Sequence, residues 1–371
     1  MLSLVCPSWY DSRTAARESL TGEAIGIARI LPIGGHLMVV VRVDGLRKEF
    51  TRRTRTPGLR GLLRSYVSPR HETVVALDGI DFEMDDGESL ALIGPNGAGK
   101  STTIKTLTGI LHPTSGSATV LGLVPWKERT RLSLNIATVF GQRSQLWFHL
   151  PAGETFDLLA HIYEIPRAEY QARKTALVER FELGPLLGTA VRKLSLGQRM
   201  RCEIAASLLH RPRVLFLDEP TIGLDVIAKQ KIRELVSELN RNEGVSVLLT
   251  SHDAGDIERL CKRVIVINHG TIVLNDRVST LKRRYLRRKV IGLRLSDADV
   301  TLPAIEHTTL LSRSRFGAKL EVDTDRVAVP AVMATLGRLP IADITIEDPP
   351  MEEIIAEIYA ARSEERGRVD D

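Results

Sequence analysis

The sequence predicts an α/β fold built around a phosphate-binding loop, followed by a small α+β C-terminal domain. Three observations carry this. First, the apolar run Leu90-Ala91-Leu92-Ile93, as a buried strand requires, leads into Gly94-Pro95-Asn96-Gly97-Ala98-Gly99-Lys100-Ser101, which fits G-x-x-x-x-G-K-[ST]. Second, Thr102 to Leu107 continues as a helix, so strand, loop and helix follow one another as the motif needs. Third, a second buried strand, Val214-Leu215-Phe216-Leu217, ends in the carboxylates Asp218 and Glu219. The glycines let successive backbone N–H groups point at one anion. The helix dipole, the Lys100 charge and the Ser101 hydroxyl, a ligand for Mg²⁺, add to that cradle.

The elements follow in order. Residues 1–38 are interrupted by Pro7, Pro32, Gly34 and Gly35 and lack a signal-peptide pattern, so disorder is expected there. Met38 is expected to be the true start, since the Gly34-Gly35 codons can read as a ribosome-binding sequence just upstream. Val39 to Phe50 opens a domain expected to span 39–281, and Val74 to Leu77 continues it after a basic insertion at 51–71. Helices are expected over Glu154–Glu164, Ala168–Phe181 and Leu186-Leu187, forming a helical subdomain at about 143–197. Val245 to Thr250 reads as another buried strand. A smaller domain is expected over 290–361. Its strands are Val290–Leu295, Ala318–Val322 and Ile341–Ile346, with helices over Val329–Leu339 and Met351–Ala361 and a charged tail at 362–371.

Between these elements lie Gln142 in Phe140-Gly141-Gln142-Arg143, the pentapeptide Leu194-Ser195-Leu196-Gly197-Gln198, Gly223-Leu224-Asp225, and His252 in Thr250-Ser251-His252-Asp253. Taken with Gly94–Ser101 and Asp218-Glu219, this ordered set resembles the nucleotide-binding subunit of the ABC transporters, with all six of that family's motifs present between Gly94 and His252. The resemblance implies a P-loop ATPase of the ABC type. Gly94, Asn96, Gly97, Ala98, Gly99, Lys100, Ser101 and Thr102 would bind ATP, and Ser101, Gln142 and Asp218 would form the Mg²⁺ shell. Glu219 would be the general base, His252 the switch contacting the γ-phosphate, and Asp225 the D-loop acid.

Ser195, Leu196, Gly197 and Gln198 would form the signature, which in the family meets the ATP of an opposite, head-to-tail subunit. Leu196 departs from the family's glycine, while Ser195 and Gly197 are kept. Ser195 and Gln198 also stand three apart at a helix start, the spacing of a capping box. For adenine stacking Phe50 is favoured, with Tyr66 of the insertion as its rival. Trp147 and Phe148, just after Gln142, are candidates for contact with a separately encoded multi-span permease; ordinary packing within the subdomain is the equal alternative.

Composition bounds the rest. The chain has 371 residues, 43% hydrophobic and 26% charged, which suits a globular chain with one large and one small domain. No apolar run approaches the ~18–20 residues of a membrane helix. The three cysteines, Cys6, Cys202 and Cys261, match no zinc pattern, and a reducing cytosol is the simple reading. The net charge of +5 is concentrated around the insertion and in Lys282–Lys289. Such runs are either a solvated face or a contact for anionic lipid, each basic residue then contributing about 1 kcal/mol. Nothing interleaves them with aromatics as nucleic-acid binding would require. The closing "IEDPPMEEIIAEIY" resembles the C-terminal extension of drug- and antibiotic-exporting ABC ATPases. The resemblance thus implies an ATPase subunit of a bacterial exporter, peripheral to the cytoplasmic face of the inner membrane. A soluble ABC-type ATPase acting on ribosomes or nucleic acid, an importer subunit, and a regulator that binds ATP without turnover stay open as alternatives.

Overall fold

The computed structural model describes residues 38–54, 70–141, 144–251, 253–285, 288–298 and 300–347. The chain divides by compactness into Met1–Met38 and Val39–Asp371. Residues 1–37, Tyr66, Gln142, His252, Met351–Ala361 and the tail lie outside the described residues.

The second unit opens with β1 (Val39–Thr54) and β2 (Arg70–Asp85), an antiparallel pair to which β4 (Ser115–Val120) adds on the other edge of β1. The ends of the basic insertion continue these strands. Thr51 to Thr54 pair with Thr73 to Arg70, and Phe50 pairs directly with Val74. The insertion therefore lengthens a hairpin and leaves Phe50 beside the strand expected to follow it.

A six-stranded sheet is ordered β5-β6-β7-β3-β8-β9. These strands are β5 (Ile136–Phe140), β6 (Val214–Asp218), β7 (Ser246–Ser251), β3 (Ser89–Ile93), β8 (Arg263–Asn268) and β9 (Thr271–Arg277). The first five run parallel, and β9 turns back antiparallel on β8. Their apolar runs are continuous because both faces are covered. Ala91, Ile93, Leu215, Leu217, Val247 and Leu249 enter one core with the helices. Leu90, Leu92, Phe216 and Leu248, their neighbours in sequence, enter a second core against the three-stranded sheet.

On the first side pack helices Ala152–Ile162, Arg167–Arg180 and Leu196–Ser207, with single 3-10 turns at Gly184–Leu186 and Val191–Lys193. Phe156, Phe181 and Leu183 are fully buried there. Helix Val278–Tyr285 runs across the boundary expected near residue 281 and buries Val278 and Leu281.

The last sheet is antiparallel, ordered β11-β12-β10-β13, from β10 (Arg288–Leu295), β11 (Thr308–Ser314), β12 (Gly317–Asp323) and β13 (Ile341–Glu347). Helix Val329–Leu336 connects β12 to β13 and buries Val332 and Leu336 on Ile291, Leu293, Leu320 and Val322. This is the strand order of a split β-α-β-β-α-β unit. In place of its first helix stands the segment 296–307, whose Leu302 and Ile305 pack on the same core.

Candidate functional site

The parallel pairing of the sheet builds the site. Ile93 lies beside Ser251, Asp218 beside Thr250, and Phe140 beside Asp218, so the C-terminal ends of β3, β7, β6 and β5 meet on one edge. Ligands of open α/β sheets bind at that edge. A cavity of about 850 Å³ opens there, lined by the whole loop Gly94–Thr102 together with Lys105, Ile110, Phe140, Gly141, Asp218, Glu219 and Ile222.

The loop's shape follows from its glycines. Gly97 has φ +83° and Gly99 φ +113°, a region L side chains rarely adopt. A Cβ on Gly99 would also lie 2.6 Å from the Ala76 carbonyl oxygen. Gly99 is the N-cap of helix Lys100–Leu107, and no side chain caps that helix. Its first N–H groups are thus directed at the cavity. Lys100 is almost fully buried, and its Nζ donates to the carbonyls of Gly94 at 2.7 Å and Pro95 at 3.1 Å. Its Nζ lies 3.8 Å from Glu219 Oε1. Burial draws the Lys100 ammonium below its ordinary value, against the opposing pull of Glu219 and Asp218.

Asp218 is the hub of the far wall. Its Oδ1 accepts from Ser101 Oγ at 3.0 Å and from Thr250 Oγ1 at 2.6 Å. Glu219 follows with φ +53°, a strained conformation for a residue with a side chain. Its N–H donates to the Thr250 carbonyl and to Thr250 Oγ1, both at 3.1 Å. Gly141 packs against the same peptide, where a Cβ would sit 2.1 Å from the Glu219 carbonyl oxygen. Thr250 was not singled out from the sequence; a threonine one strand over from an acidic strand end was the available signal.

The remaining described candidates do not line this cavity. Ser195 caps helix Leu196–Ser207 in a full capping box: Gln198 N–H donates to Ser195 Oγ at 3.2 Å, and Ser195 N–H to Gln198 Oε1 at 2.9 Å. Leu196 and Gly197 form the first turn of that helix, and Gly223 packs toward the Leu196 side chain. Asp225 caps helix Val226–Glu243 by accepting from Ala228 N–H at 2.8 Å. Beside it Val226 and Ile227 are 80% and 82% exposed. Phe50 is 39% exposed, with Lys48 Nζ 5.1 Å from its ring centroid, and does not line the cavity. Trp147 and Phe148 are nearly half exposed.

Past residue 252 a second network ties the chain together. Buried Asp256 accepts from Thr221 Oγ1 and Ser251 Oγ, each at 2.6 Å, and from Arg233 Nε at 2.7 Å. Asp253 takes Lys229 and the other arm of Arg233, and these partners hold its carboxyl below the usual range despite burial. The segment after β7 is thereby fixed to the helix that Asp225 caps.

Comparison with known proteins gives the family of the chain. Residues 77–222 match the family model of the ABC transporter. The chain is 33% identical over 281 residues to the daunorubicin/doxorubicin resistance ATP-binding protein DrrA of Streptomyces peucetius, covering 76% of this chain and 82% of that one. The chain belongs to the ABC transporter ATP-binding proteins. Against ABC transporter A family member 8 of Dictyostelium discoideum it is 34% identical over 228 residues, 62% of this chain, and spans only 27% of that longer protein. In structure it superposes, with a TM-score of 0.54 and 25% identity, on the dimeric ATP-binding cassette MJ0796 in a post-hydrolysis state bound to ADP and Pi, covering 64% of this chain and 98% of that one. The chain is therefore an ABC ATPase, and the cavity at the sheet edge, lined by its phosphate-loop motif, is the candidate nucleotide site. No described helix is long and apolar enough to cross a membrane.

Proposed function

We propose that this ABC ATPase powers a drug or antibiotic exporter whose membrane-spanning subunits are separate polypeptides. The single observation that carries the ATPase reading is the cavity in which the uncapped loop helix, Lys100 and the Asp218-Glu219 strand end converge. The export reading draws on the DrrA relative, which is named for drug resistance.

Glu219 accepts the proton of a water whose oxygen attacks the γ-phosphorus of ATP. The bond from that phosphorus to the β–γ bridging oxygen breaks, leaving ADP and phosphate. Lys100 and the N–H groups of Gly97 to Thr102 balance the charge on the phosphates. Catalysis on ATP is chiefly such placement and electrostatics. The donor set fits Mg²⁺, which takes one or two carboxylates plus substrate phosphates rather than an all-protein cage. Ser101 and Asp218 supply hard oxygens at one wall of the cavity, and among the described residues no cluster of His, Cys, Asp and Glu forms a cage by itself. Mg²⁺ would neutralise phosphate charge there, with Gln142 the third member that the family resemblance assigns. His252 has the switch role and Phe50 the adenine contact on the same basis.

The signature Ser195 and Gly197 meet the nucleotide of a second copy, head to tail. The exposed Val226 and Ile227 next to Asp225 supply apolar surface for that seam. Trp147 and Phe148 form the contact with the permease on the cytoplasmic face of the membrane.

The test is a pull-down of the tagged full chain from gently solubilised native membranes, with Glu219→Gln to hold the ATP-closed dimer. Multi-span membrane proteins should co-purify, and Trp147→Ala with Phe148→Ala should release them. Recovery of ribosomal proteins or nucleic acid without a membrane partner would overturn the transporter reading.

A further inference from the structure

The signature helix Leu196–Ser207 carries an acid where packing asks for hydrocarbon. Met200, Cys202, Ile204, Ala205 and Ala206 are its buried positions, and Glu203 stands among them at 5% exposure. Burying a carboxylate costs free energy unless donors meet it. The donors here come from one short segment. Ser144 Oγ donates to Glu203 Oε1, and the Gln145 N–H is shared between Oε1 at 3.2 Å and Oε2 at 3.1 Å. Burial pushes the Glu203 carboxyl up, and these donors, with the more distant Arg199 charge, oppose the shift.

One turn nearer the N-terminus, Arg199 lies on the same helix face and places its guanidinium 5.6 Å from the Phe148 ring centroid. The opposite side of the segment is anchored as well. Gln145 Nε2 donates to the Thr138 carbonyl of β5, and Arg192 N–H donates to the Phe148 carbonyl at 3.0 Å. Residues 144–148 are thus clamped between the parallel sheet and the signature helix, and present Trp147 and Phe148 outward.

We propose that Glu203 is a positioning residue that fastens the 144–148 segment to the signature helix, so that displacement at Trp147 and Phe148 reaches Ser195–Gln198 as a rigid movement. From Glu203 to the helix start is eight residues, about 12 Å of helix. An apolar residue would fill the space but would leave the Gln145 N–H without this acceptor and the Ser144 hydroxyl with the Leu146 carbonyl at 3.5 Å, and would let the segment slide. The inference rests on the reading of Ser195–Gln198 as the part that closes on a second copy.

Amide hydrogen exchange on the nucleotide-free full chain tests the fastening without requiring a dimer. Glu203→Gln keeps the shape and removes one acceptor oxygen; Ser144→Ala removes a donor that is not on the helix. Each should speed exchange about fivefold, as expected for one lost hydrogen bond. The effect should appear both at 144–150 and at 195–198, with β3 unchanged. The double variant should be no worse than the stronger single one, since both act through the same contact. Exchange at 195–198 that stays at the parent rate in both variants overturns the proposal, because Glu203 then holds only its own neighbourhood. The companion measurement is ATP-driven dimerisation by light scattering in a Glu219→Gln background. Adding Glu203→Gln should raise the concentration for half-dimerisation while ATP affinity stays within about twofold, since the loop helix is untouched. Failure of the Glu219→Gln parent itself to dimerise would remove the two-copy reading, and the exchange result would still decide the fastening.

Discussion

Two helices of this chain begin in opposite ways. Helix Lys100–Leu107 starts from Gly99 in a left-handed conformation with no side-chain cap. Helix Leu196–Ser207 starts from Ser195 with both halves of a capping box in place. Each leaves the positive end of its dipole at a phosphate in the family's arrangement, yet only one has its own polar side chains already bonded there. The uncapped end is complementary to a ligand held by this chain. The capped end is stable by itself, and the Ser195 hydroxyl, while accepting from Gln198 N–H, keeps its own proton for a further acceptor. On the proposed function, the helix start that must persist without nucleotide is the capped one, and the one that would meet nucleotide in its own subunit is left to the anion.

The largest expected effect separates chemistry from both helix ends. Glu219→Gln should lower the rate of phosphate release by about 10²–10⁴-fold, the range for a lost general base, while ATP still binds. A variant that hydrolyses ATP at the wild-type rate would remove Glu219 from the role proposed for it. Next, Gly99→Ala strikes the uncapped end. The left-handed φ and the 2.6 Å approach to Ala76 impose strain of about 1–3 kcal/mol, so ATP affinity by calorimetry should drop about 5- to 150-fold. Undiminished binding would mean that the loop reaches its shape in some other way.

The capped end gives a smaller and more discriminating pair. Ser195→Ala should cost about 0.5–2 kcal/mol of stability through the lost cap. Ser195→Asp restores a good cap and adds a negative charge. If the cap is the whole role, Ser195→Asp recovers both thermal stability and ATP-driven dimerisation. If the end also faces a phosphate, stability returns and dimerisation does not.

The smallest effect lies away from both ends. His210 is half-buried, stacks on Tyr163 with centroids 4.0 Å apart, and bonds the Ile136 carbonyl through Nε2 at 2.9 Å; its partial burial holds its pKa below the ordinary value. The unfolded chain then takes up the proton first as pH falls below about 6.5, so stability is full above that point and declines toward the lower folded value. Between pH 7.5 and 5.5 the Tm of His210→Gln should fall less than that of the wild type; equal slopes would assign the decline to other groups.

The buried parallel strands were readable because sequence and environment agree there. Leu90–Ile93 and Val214–Leu217 are covered on both faces and are apolar throughout. The edges were not. In β9 the apolar run is only Ile272-Val273-Leu274, half-buried, and in β11 only Leu310-Leu311, about half exposed, so neither strand carries a long or alternating apolar pattern. Helix Val278–Tyr285 was hidden by its run of charge; among its described side chains Val278 and Leu281 are buried in the core. At the site the loop and the acidic strand end announced themselves by motif. Thr250 and the Asp256–Arg233 network carry no motif, because their role arises only when strands distant in sequence lie side by side. For the same reason Glu203 is silent in the sequence: an acid inside a helix reads as a solvent-facing residue until the Ser144-Gln145 donors are seen against it.

The sheet order also sets a timetable. The strand that delivers the phosphate loop, β3, pairs with β7 and β8, so Leu90 waits for Leu248 and Ile93 for Val266. At ribosomal rates of about 5–20 residues per second, the loop emerges roughly 10–30 s before the strands that support it. A nascent chain ending anywhere before residue 246 thus displays an intact Gly94–Ser101 motif with no edge to hold it. Nucleotide capture by this loop is therefore expected only once β7 and β8 have joined β3.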